Sequence, residues 1–215
     1  MTRGISGLYA VTPDVADTPR LIATAQAALA GGARLLQYRN KPAVPELRLT
    51  QARALLALCR KYRASFIVND HLDLALAVDA DGLHLGADDG SLAAARAQLG
   101  PARVLGASCY DRLELALEAE HLGADYVAFG SFYSSRVKPG AVHAPLALLR
   151  EARRRLSIPV VAIGGITHEN APQLIAAGAH CVAVISALFD ADDVELAARR
   201  FSALFAQSET ATRVS

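Results

Sequence analysis

The sequence is poor in several residue types that mark special classes of protein. Its 215 residues include no tryptophan, one methionine and three cysteines, and 6% are aromatic. The cysteines are widely spaced and form no CxxC pair, which excludes a disulfide framework and a cysteine-ligated zinc site. We therefore expect buried, free thiols in a reducing cytoplasm.

The sequence also lacks an excess of charge of one sign and any long hydrophobic run. Its 22 Lys and Arg residues balance 21 Asp and Glu residues, which leaves no overall field to hold nucleic acid or an anionic membrane. No segment reaches about 18 uninterrupted apolar residues, and no apolar signal segment follows the first methionine. We expect a cytoplasmic protein that binds neither nucleic acid nor membrane and holds any anionic ligand at a local site.

Short apolar runs alternate along the chain with longer amphipathic stretches rich in Ala, Leu and Arg. This pattern is typical of buried parallel strands that alternate with covering helices. The predicted strands are Gly7–Val11, Leu35–Tyr38, Ser65–Val68, Gly82–Leu85, Val104–Ala107, Tyr126–Phe129, Val160–Ile163 and Cys181–Ile185. The predicted helices lie near Pro19–Ala30, Val44–Arg63, His71–Val78, Ser91–Leu99, Arg112–Leu122, Pro145–Leu156, Asn170–Ala177 and Val194–Ala206.

Eight strand–helix pairs predict an α/β fold, a single (β/α)8 TIM barrel over residues 1–206. An open doubly wound sheet is the alternative, but no GxGxxG follows the first strand to favour it. Residues 207–215 are polar and aperiodic, which predicts a frayed tail. The oligomeric state stays open, a homo-oligomer included.

Polar residues follow the predicted strands, at the face where barrels carry their active sites. Asp70 and Asp89 come just after two successive strands, so their carboxylates are expected to share one small space. Carboxylates with substrate phosphate oxygens make the hard-oxygen site that Mg²⁺ prefers. The alternative is that Asp70 caps the helix that starts at His71, and that Asp88 and Asp89 form a solvated turn that caps the helix from Ser91.

Cations fall at the same face. Arg39, Lys41 and Lys138 follow strands two and six, and together they suit a diphosphate better than a single carboxylate. The alternative is three side chains that extend along the surface into solvent.

Strands seven and eight end in a second candidate anion site. Gly164 and Gly165 follow strand seven, and Ile185 and Ser186 close strand eight, where barrels often bind a phosphate through backbone amides. A tight turn that needs glycine is the alternative.

His84 lies inside strand four and is interpreted as a hydrogen-bonded core residue rather than a catalyst.

The polar segments, in their order along the chain, resemble the thiamine-phosphate synthase family. They are Gln37-x-Arg39-x-Lys41, Val68-Asn69-Asp70, Asp81-Gly-Leu-His-Leu-Gly86-x-x-Asp89, Tyr126-Val-Ala-Phe-Gly130 with Lys138-Pro139, and Val160-Val-Ala-Ile-Gly-Gly-Ile166. The resemblance runs from about Gly7 to Phe189 and implies a barrel enzyme, a transferase. It would join 4-amino-2-methyl-5-hydroxymethylpyrimidine diphosphate to 4-methyl-5-(2-hydroxyethyl)thiazole phosphate, releasing diphosphate and thiamine phosphate.

The resemblance also implies roles for particular residues. Asp70 and Asp89 would hold Mg²⁺. The diphosphate would be bound by Arg39, Lys41, Asn69 and Lys138, and the pyrimidine and leaving group would lie beside Gln37 and Ser108. The thiazole phosphate would be bound by Ser135, Gly165, Ile185 and Ser186. Among these, Arg39, Lys41, Ser108 and Lys138 would act on the bond that breaks.

The chain departs from the family pattern at three positions. Val137 stands where a second threonine is usual, Ala87 replaces a glutamine, and Tyr110 replaces a histidine that follows strand five. In the related thiazole tautomerases that histidine transfers a proton, and one or both aspartates are usually missing. Because both aspartates are present here, the resemblance favours a synthase over a tautomerase and over a phosphate-binding sensor on the same barrel.

Overall fold

The computed structural model describes residues 4–134 and 143–212, with side chains up to residue 206. Its strands are β1 (Gly7–Val11), β2 (Leu35–Tyr38), β3 (Ser65–Asn69), β4 (Gly82–Leu85), β5 (Val104–Tyr110), β6 (Tyr126–Phe129), β7 (Val160–Ile163) and β8 (Cys181–Val184). All neighbours pair in parallel, and β1 pairs with β8 to close the sheet in chain order. The predicted (β/α)8 barrel is confirmed, and the open doubly wound alternative is wrong.

Helices cover the outside of the barrel. They are α1 (Thr18–Ala30), α2 (Pro45–Tyr62), α3 (Leu72–Ala77), α4 (Leu92–Leu99), α5 (Leu113–His121), α6 (Leu146–Arg155), α7 (Ala171–Ala176), α8 (Ser186–Phe189) and α9 (Val194–Thr212). The sequence did not predict α8, since four residues are too few to show a helical period. The last helix, α9, continues past the predicted boundary at Ala206, so residues 207–212 of the expected tail are helical.

Alternation along each strand separates two packed layers. Leu8, Leu36 and Phe66 pack outward against the helices, whereas Tyr9 and Leu35 belong to the cluster inside the barrel. Because successive side chains of a strand point to opposite faces, the residues that continue the inward series also face the barrel axis. The strand pattern therefore decides which polar residues can reach a site at the mouth.

Polar residues at the N-terminal end of the barrel are occupied by structural bonds. Asp81, before β4, accepts a hydrogen bond from the Phe66 N–H, and Asp125, before β6, accepts one from the Leu105 N–H. His180 does the same for the Val160 N–H before β8. These bonds hold the starts of the strands in place, so the C-terminal end of the barrel is left to carry function.

No helix among the described residues is long and apolar enough to cross a membrane.

Gly31 sits at a close approach between α1 and α9. A Cβ atom added there would lie 2.4 Å from the Ala198 Cβ and 2.4 Å from the Glu195 carbonyl oxygen. We expect Gly31→Ala to lower the free energy of unfolding by about 1–3 kcal/mol through overpacking, measured by thermal or urea unfolding. Gly4→Ala is the matched control, because nothing lies within 4 Å of its added Cβ. Equal stability of the two variants would show that the helices separate at no cost.

Candidate active site

Inward-facing polar residues converge at the C-terminal mouth of the barrel. Gln37 in β2, Asn69 in β3, His84 in β4 and Ser108 in β5 continue the inward series of their strands. The parallel register pairs Asn69 directly with His84. The structure thus places Gln37, Asn69 and Ser108, three of the predicted substrate-binding residues, at one end of the barrel.

Asp70 and Asp89 lie in direct contact. Burial, followed by the hydrogen bond that joins it to Asp89, raises the pKa of the Asp70 carboxyl. Burial opposes ionisation of Asp89, but hydrogen bonds from Asp70 and from the Gly86 N–H outweigh it and lower its pKa. The pair therefore retains a proton more readily than isolated carboxylates do, as expected when two acids share one space.

Helix capping does not explain these two carboxylates. The N-cap residue of α3 is His71, which makes no capping hydrogen bond with its side chain, and the N-cap of α4 is Ser91, whose hydroxyl accepts from the Ala94 N–H. Asp70 itself has a φ of 63°, a backbone conformation that non-glycine residues seldom adopt. The capping interpretation of the sequence is wrong for both residues.

The chemistry of this pair fits a magnesium ion. The Lys41 ammonium lies 3.1 Å from Asp70 Oδ2, so the pair already attracts a cation. Among the described residues no group of three or more His, Cys, Asp or Glu side chains could hold a metal. A cation held by Asp70 and Asp89 would take its other ligands from water and substrate oxygens, which is how Mg²⁺ usually binds beside phosphates.

Arg39 is held in place by the segment that follows β1. Its guanidinium Nη1 lies 3.0 Å from both carboxylate oxygens of Asp14, and the Lys41 N–H donates to Asp14 Oδ1. The buried Thr12 hydroxyl accepts from the Arg39 N–H and donates to the Arg39 carbonyl, both at 2.9 Å. Sequence reasoning missed Thr12 and Asp14, although both follow β1 as the predicted residues follow their own strands.

A buried polar cluster fixes the rest of the Arg39 loop. Gln51 of α2 is fully buried and accepts hydrogen bonds from the Tyr38 hydroxyl and the Asn40 amide. Both Gln51 and Asn40 donate to the Val15 carbonyl, which ties α2 and the loop to the segment between β1 and α1. Buried polar groups with several partners are rigid, so the two cations of this loop are presented from a fixed support.

A chain of hydrogen bonds crosses the barrel interior beneath the mouth. Gln37 Nε2 donates to the Tyr9 hydroxyl at 2.9 Å, and the Tyr9 and Tyr126 hydroxyls lie 2.8 Å apart. His84 Nδ1 lies 2.9 Å from the Tyr126 hydroxyl, and its Nε2 lies 2.9 Å from Ser108 Oγ. Burial lowers the pKa of His84 to about 4. The interpretation of His84 as a partnered core residue is confirmed.

A cavity of about 420 Å³ opens where β7 and β8 end. Its lining includes Ser134, Gly164, Gly165, Thr167, Ile185 and Ser186. A Cβ at Gly165 would lie 2.4 Å from the Ser134 carbonyl oxygen, and the residue has a φ of 63°. Glycine is therefore required both for the turn and for the close passage of the loop after β6. Three of the four residues predicted to bind the thiazole phosphate, Gly165, Ile185 and Ser186, line one cavity.

Two predicted residues, Ser135 and Lys138, lie outside the described residues, as does Val137.

Tyr110, the third departure from the family pattern along with Ala87 and Val137, ends β5. The register between β5 and β6 shifts between Ser108 and Tyr110. Tyr110 has a φ of 53° and is 38% exposed. Bulges of this kind redirect a side chain, and here the Tyr110 hydroxyl lies close to the loop that carries Asp89, 3.5 Å from the Ala87 N–H.

Known proteins are similar to this chain over nearly its full length. The family model for thiamine monophosphate synthase matches residues 8–188. Thiamine-phosphate synthases of Methylobacillus flagellatus and Thioalkalivibrio sulfidiphilus are 56% and 57% identical, each over 94% of this chain and 96% of the relative. Thiamine phosphate pyrophosphorylase from Pyrococcus furiosus superposes with a TM-score of 0.86 at 37% identity, covering 96% of this chain and 98% of that one. The chain belongs to the thiamine monophosphate synthase family.

Proposed function

We propose that the barrel mouth condenses 4-amino-2-methyl-5-hydroxymethylpyrimidine diphosphate with 4-methyl-5-(2-hydroxyethyl)thiazole phosphate. The products are thiamine phosphate and diphosphate. Membership of a family of thiamine-phosphate synthases supports this reaction. The observation that carries the proposal is the Asp70–Asp89 pair with the Lys41 ammonium against it, on the loop that also carries Arg39, an arrangement suited to a polyanion and its cation.

The diphosphate end of the first substrate occupies the mouth above β2, β3 and β4. Asp70 and Asp89 would hold Mg²⁺, and the ion would neutralise charge on the departing diphosphate. Arg39 and Lys41 bind diphosphate oxygens from their rigid loop, and Asn69 donates its side-chain amide. Lys138 is proposed as a further diphosphate ligand from its position in the sequence.

The reaction needs no protein nucleophile. The bond between the pyrimidine methylene carbon and the diphosphate oxygen breaks first, and its electron pair leaves with the diphosphate. The resulting carbocation, stabilised by the aminopyrimidine ring, is captured by the lone pair of the thiazole nitrogen. The protein contributes fixed cations around the leaving group and a fixed distance between the two substrates, while Gln37 and Ser108 border the pyrimidine.

The thiazole phosphate occupies the cavity between β7 and β8. Backbone amides at Gly165, Ile185 and Ser186 would bind its oxygens, and Ser135 is proposed as a further contact. This subsite and the carboxylate pair lie on different strands of the same mouth, so each anionic group has its own binding residues. The substrates are small molecules, and a cytoplasmic location is proposed, in line with the three buried free cysteines.

The proposal is tested by metal depletion and product analysis. Chelator-treated protein is incubated with both substrates, and thiamine phosphate is measured before and after Mg²⁺ is restored. We expect product only when Mg²⁺ and both substrates are present. Product formed at an equal rate without a divalent cation would contradict the role given to Asp70 and Asp89.

Asp14 supports a separate prediction about substrate binding. Because its carboxylate holds both the Arg39 guanidinium and the Lys41 N–H, Asp14→Ala is expected to raise the KM for the pyrimidine diphosphate about tenfold. The KM for the thiazole phosphate should stay within about twofold. Steady-state kinetics with each substrate varied in turn measures both.

Asp17→Ala is the matched control for Asp14→Ala. Asp17 lies on the same loop and accepts from the Arg20 N–H as the N-cap of α1, so its loss costs about 1 kcal/mol of stability. Both KM values should be unchanged in that variant. If the two variants showed the same kinetics, the effect of Asp14 would be one of loop stability alone.

A further inference from the structure

In the hydrogen-bonded chain beneath the mouth, the chemistry of each group determines which partner donates in every bond. The chain runs from Gln37 through Tyr9, Tyr126 and His84 to Ser108. Tyr9 is 1% exposed and Tyr126 is fully buried. Buried hydroxyl protons need acceptors, so each proton in this chain has to be assigned to a bond.

Tyr9 sets the direction. Among the described residues its hydroxyl has two partners, Gln37 Nε2 and the Tyr126 hydroxyl. An amide nitrogen only donates, so the Tyr9 proton cannot go to Gln37. It goes to Tyr126, whose oxygen therefore accepts from Tyr9.

The remaining protons follow from this step. Tyr126 has already accepted from Tyr9, so its own proton goes to its other partner, His84 Nδ1. A nitrogen that accepts carries no proton, so the ring proton of His84 is on Nε2 and is donated to Ser108 Oγ. The Ser108 hydroxyl proton is then left to donate into the barrel mouth.

We propose that Tyr9, Tyr126 and His84 are positioning residues whose hydrogen bonds make Gln37 Oε1 an acceptor and the Ser108 hydroxyl a donor toward the substrate. No described residue donates to Gln37 Oε1. The two ends of the chain thus offer opposite hydrogen-bonding characters to one ligand.

This assignment defines what the mouth selects, a consequence that rests on the proposed function. The exocyclic amine of the aminopyrimidine is a donor and suits Gln37 Oε1, while Ser108 suits an acceptor such as a ring nitrogen or a diphosphate oxygen. A 4-oxo analogue presents an acceptor to Gln37 instead. To bind this analogue, the Gln37 amide would have to rotate so that its nitrogen faces the ligand. That rotation would reverse the donor and acceptor of every hydrogen bond in the chain, so we expect the analogue to bind poorly.

The direction is measured on the ligand-free protein by ¹⁵N NMR of its histidine rings. His84 signals are assigned by their loss in His84→Asn. We expect the proton on Nε2 and none on Nδ1 in the wild-type protein. A proton on Nδ1, or on both nitrogens, would overturn the proposal.

Two variants test whether Gln37 is linked to His84 through the chain. In Gln37→Glu, studied at about pH 9 where carboxyl groups carry charge, the new side chain only accepts. Tyr9 then donates to it, and the proton of His84 should move to Nδ1. The double variant Tyr9→Phe/Gln37→Glu cuts the chain and should return the proton to Nε2, because Tyr126 keeps His84 as its acceptor. An unchanged His84 signal in Gln37→Glu would contradict the link.

Tyr38→Phe is the control for the loss of a buried tyrosine hydroxyl. Its partner is Gln51, outside the chain, so the His84 signals should stay as in the wild type. On substrates, Tyr9→Phe should reduce the preference for the amino over the 4-oxo pyrimidine by about tenfold or more. An unchanged preference would overturn the selective role, whereas the absence of condensation with either pyrimidine in the wild type would count against the proposed function and leave the NMR result standing.

Discussion

Asp70→Ala and Asp89→Ala are each expected to slow thiamine phosphate formation about a thousandfold, which corresponds to about 4 kcal/mol of lost transition-state stabilisation. The two carboxylates touch each other and attract the Lys41 ammonium. With either carboxylate removed, Mg²⁺ would be bound more weakly, and less of the negative charge on the departing diphosphate would be neutralised. The rate is measured at limiting Mg²⁺, with circular dichroism and thermal unfolding to show that the barrel remains folded.

Asp88→Ala is the control for these two variants. Asp88 is an exposed acid next to Asp89 in the same loop, and its loss removes a like charge without touching the pair. We expect a rate within about twofold of the wild type. Near-wild-type rates for both Asp70→Ala and Asp89→Ala at limiting Mg²⁺ would remove the basis for a metal site here.

Arg39→Ala is expected to lower kcat/KM for the pyrimidine diphosphate about a hundredfold, the effect typical of removing one fixed donor from a developing negative charge. Arg39→Lys should recover only part of the loss, because an ammonium cannot reproduce the planar, five-donor guanidinium. Kinetics with each substrate varied in turn separates binding of the diphosphate from binding of the thiazole phosphate.

Arg34→Ala is the matched control for Arg39→Ala. Arg34 precedes β2, whereas Arg39 follows it, so the two arginines stand at opposite ends of one strand. Arg34 donates to the Ser6 hydroxyl at the surface, and its loss should leave both substrates' kinetics unchanged. If Arg39→Ala changed only the KM for the thiazole phosphate, Arg39 would bind that phosphate and not the diphosphate.

The strands were predictable because both faces of a parallel barrel strand are buried. The predicted and observed bounds agree for strands such as β1 (Gly7–Val11), β2 (Leu35–Tyr38) and β6 (Tyr126–Phe129). They agree because the apolar run in the sequence ends where the strand ceases to be buried. The prediction stopped β5 at Ala107, whereas the strand continues to Tyr110 through Ser108, which faces the mouth, and Cys109, which is buried in the outer layer. It also extended β8 to Ile185, which instead precedes α8 with a ψ of −85°.

The site was predictable only as far as single strand ends are informative. The pairing of Asp70 with Asp89 follows from two neighbouring strands, so spacing along the chain was enough. The contact between Tyr9 and Tyr126 joins residues 117 positions apart across the barrel, and each alone reads as an apolar strand residue. Asp14 and Arg39 differ from this case, because they follow the neighbouring strands β1 and β2, so the rule that paired Asp70 with Asp89 would also have predicted their ion pair.

The most direct test of a condensing barrel mouth uses one preparation of the protein with two sets of substrates. With Mg²⁺, the pyrimidine diphosphate and the thiazole phosphate, we expect thiamine phosphate and diphosphate in equal amounts. With the isomeric thiazole precursor alone, we expect no useful isomerisation, because Tyr110 stands where a proton-transferring histidine is usual and a phenol is a poor general acid–base group near neutral pH. Efficient isomerisation without condensation would contradict the account.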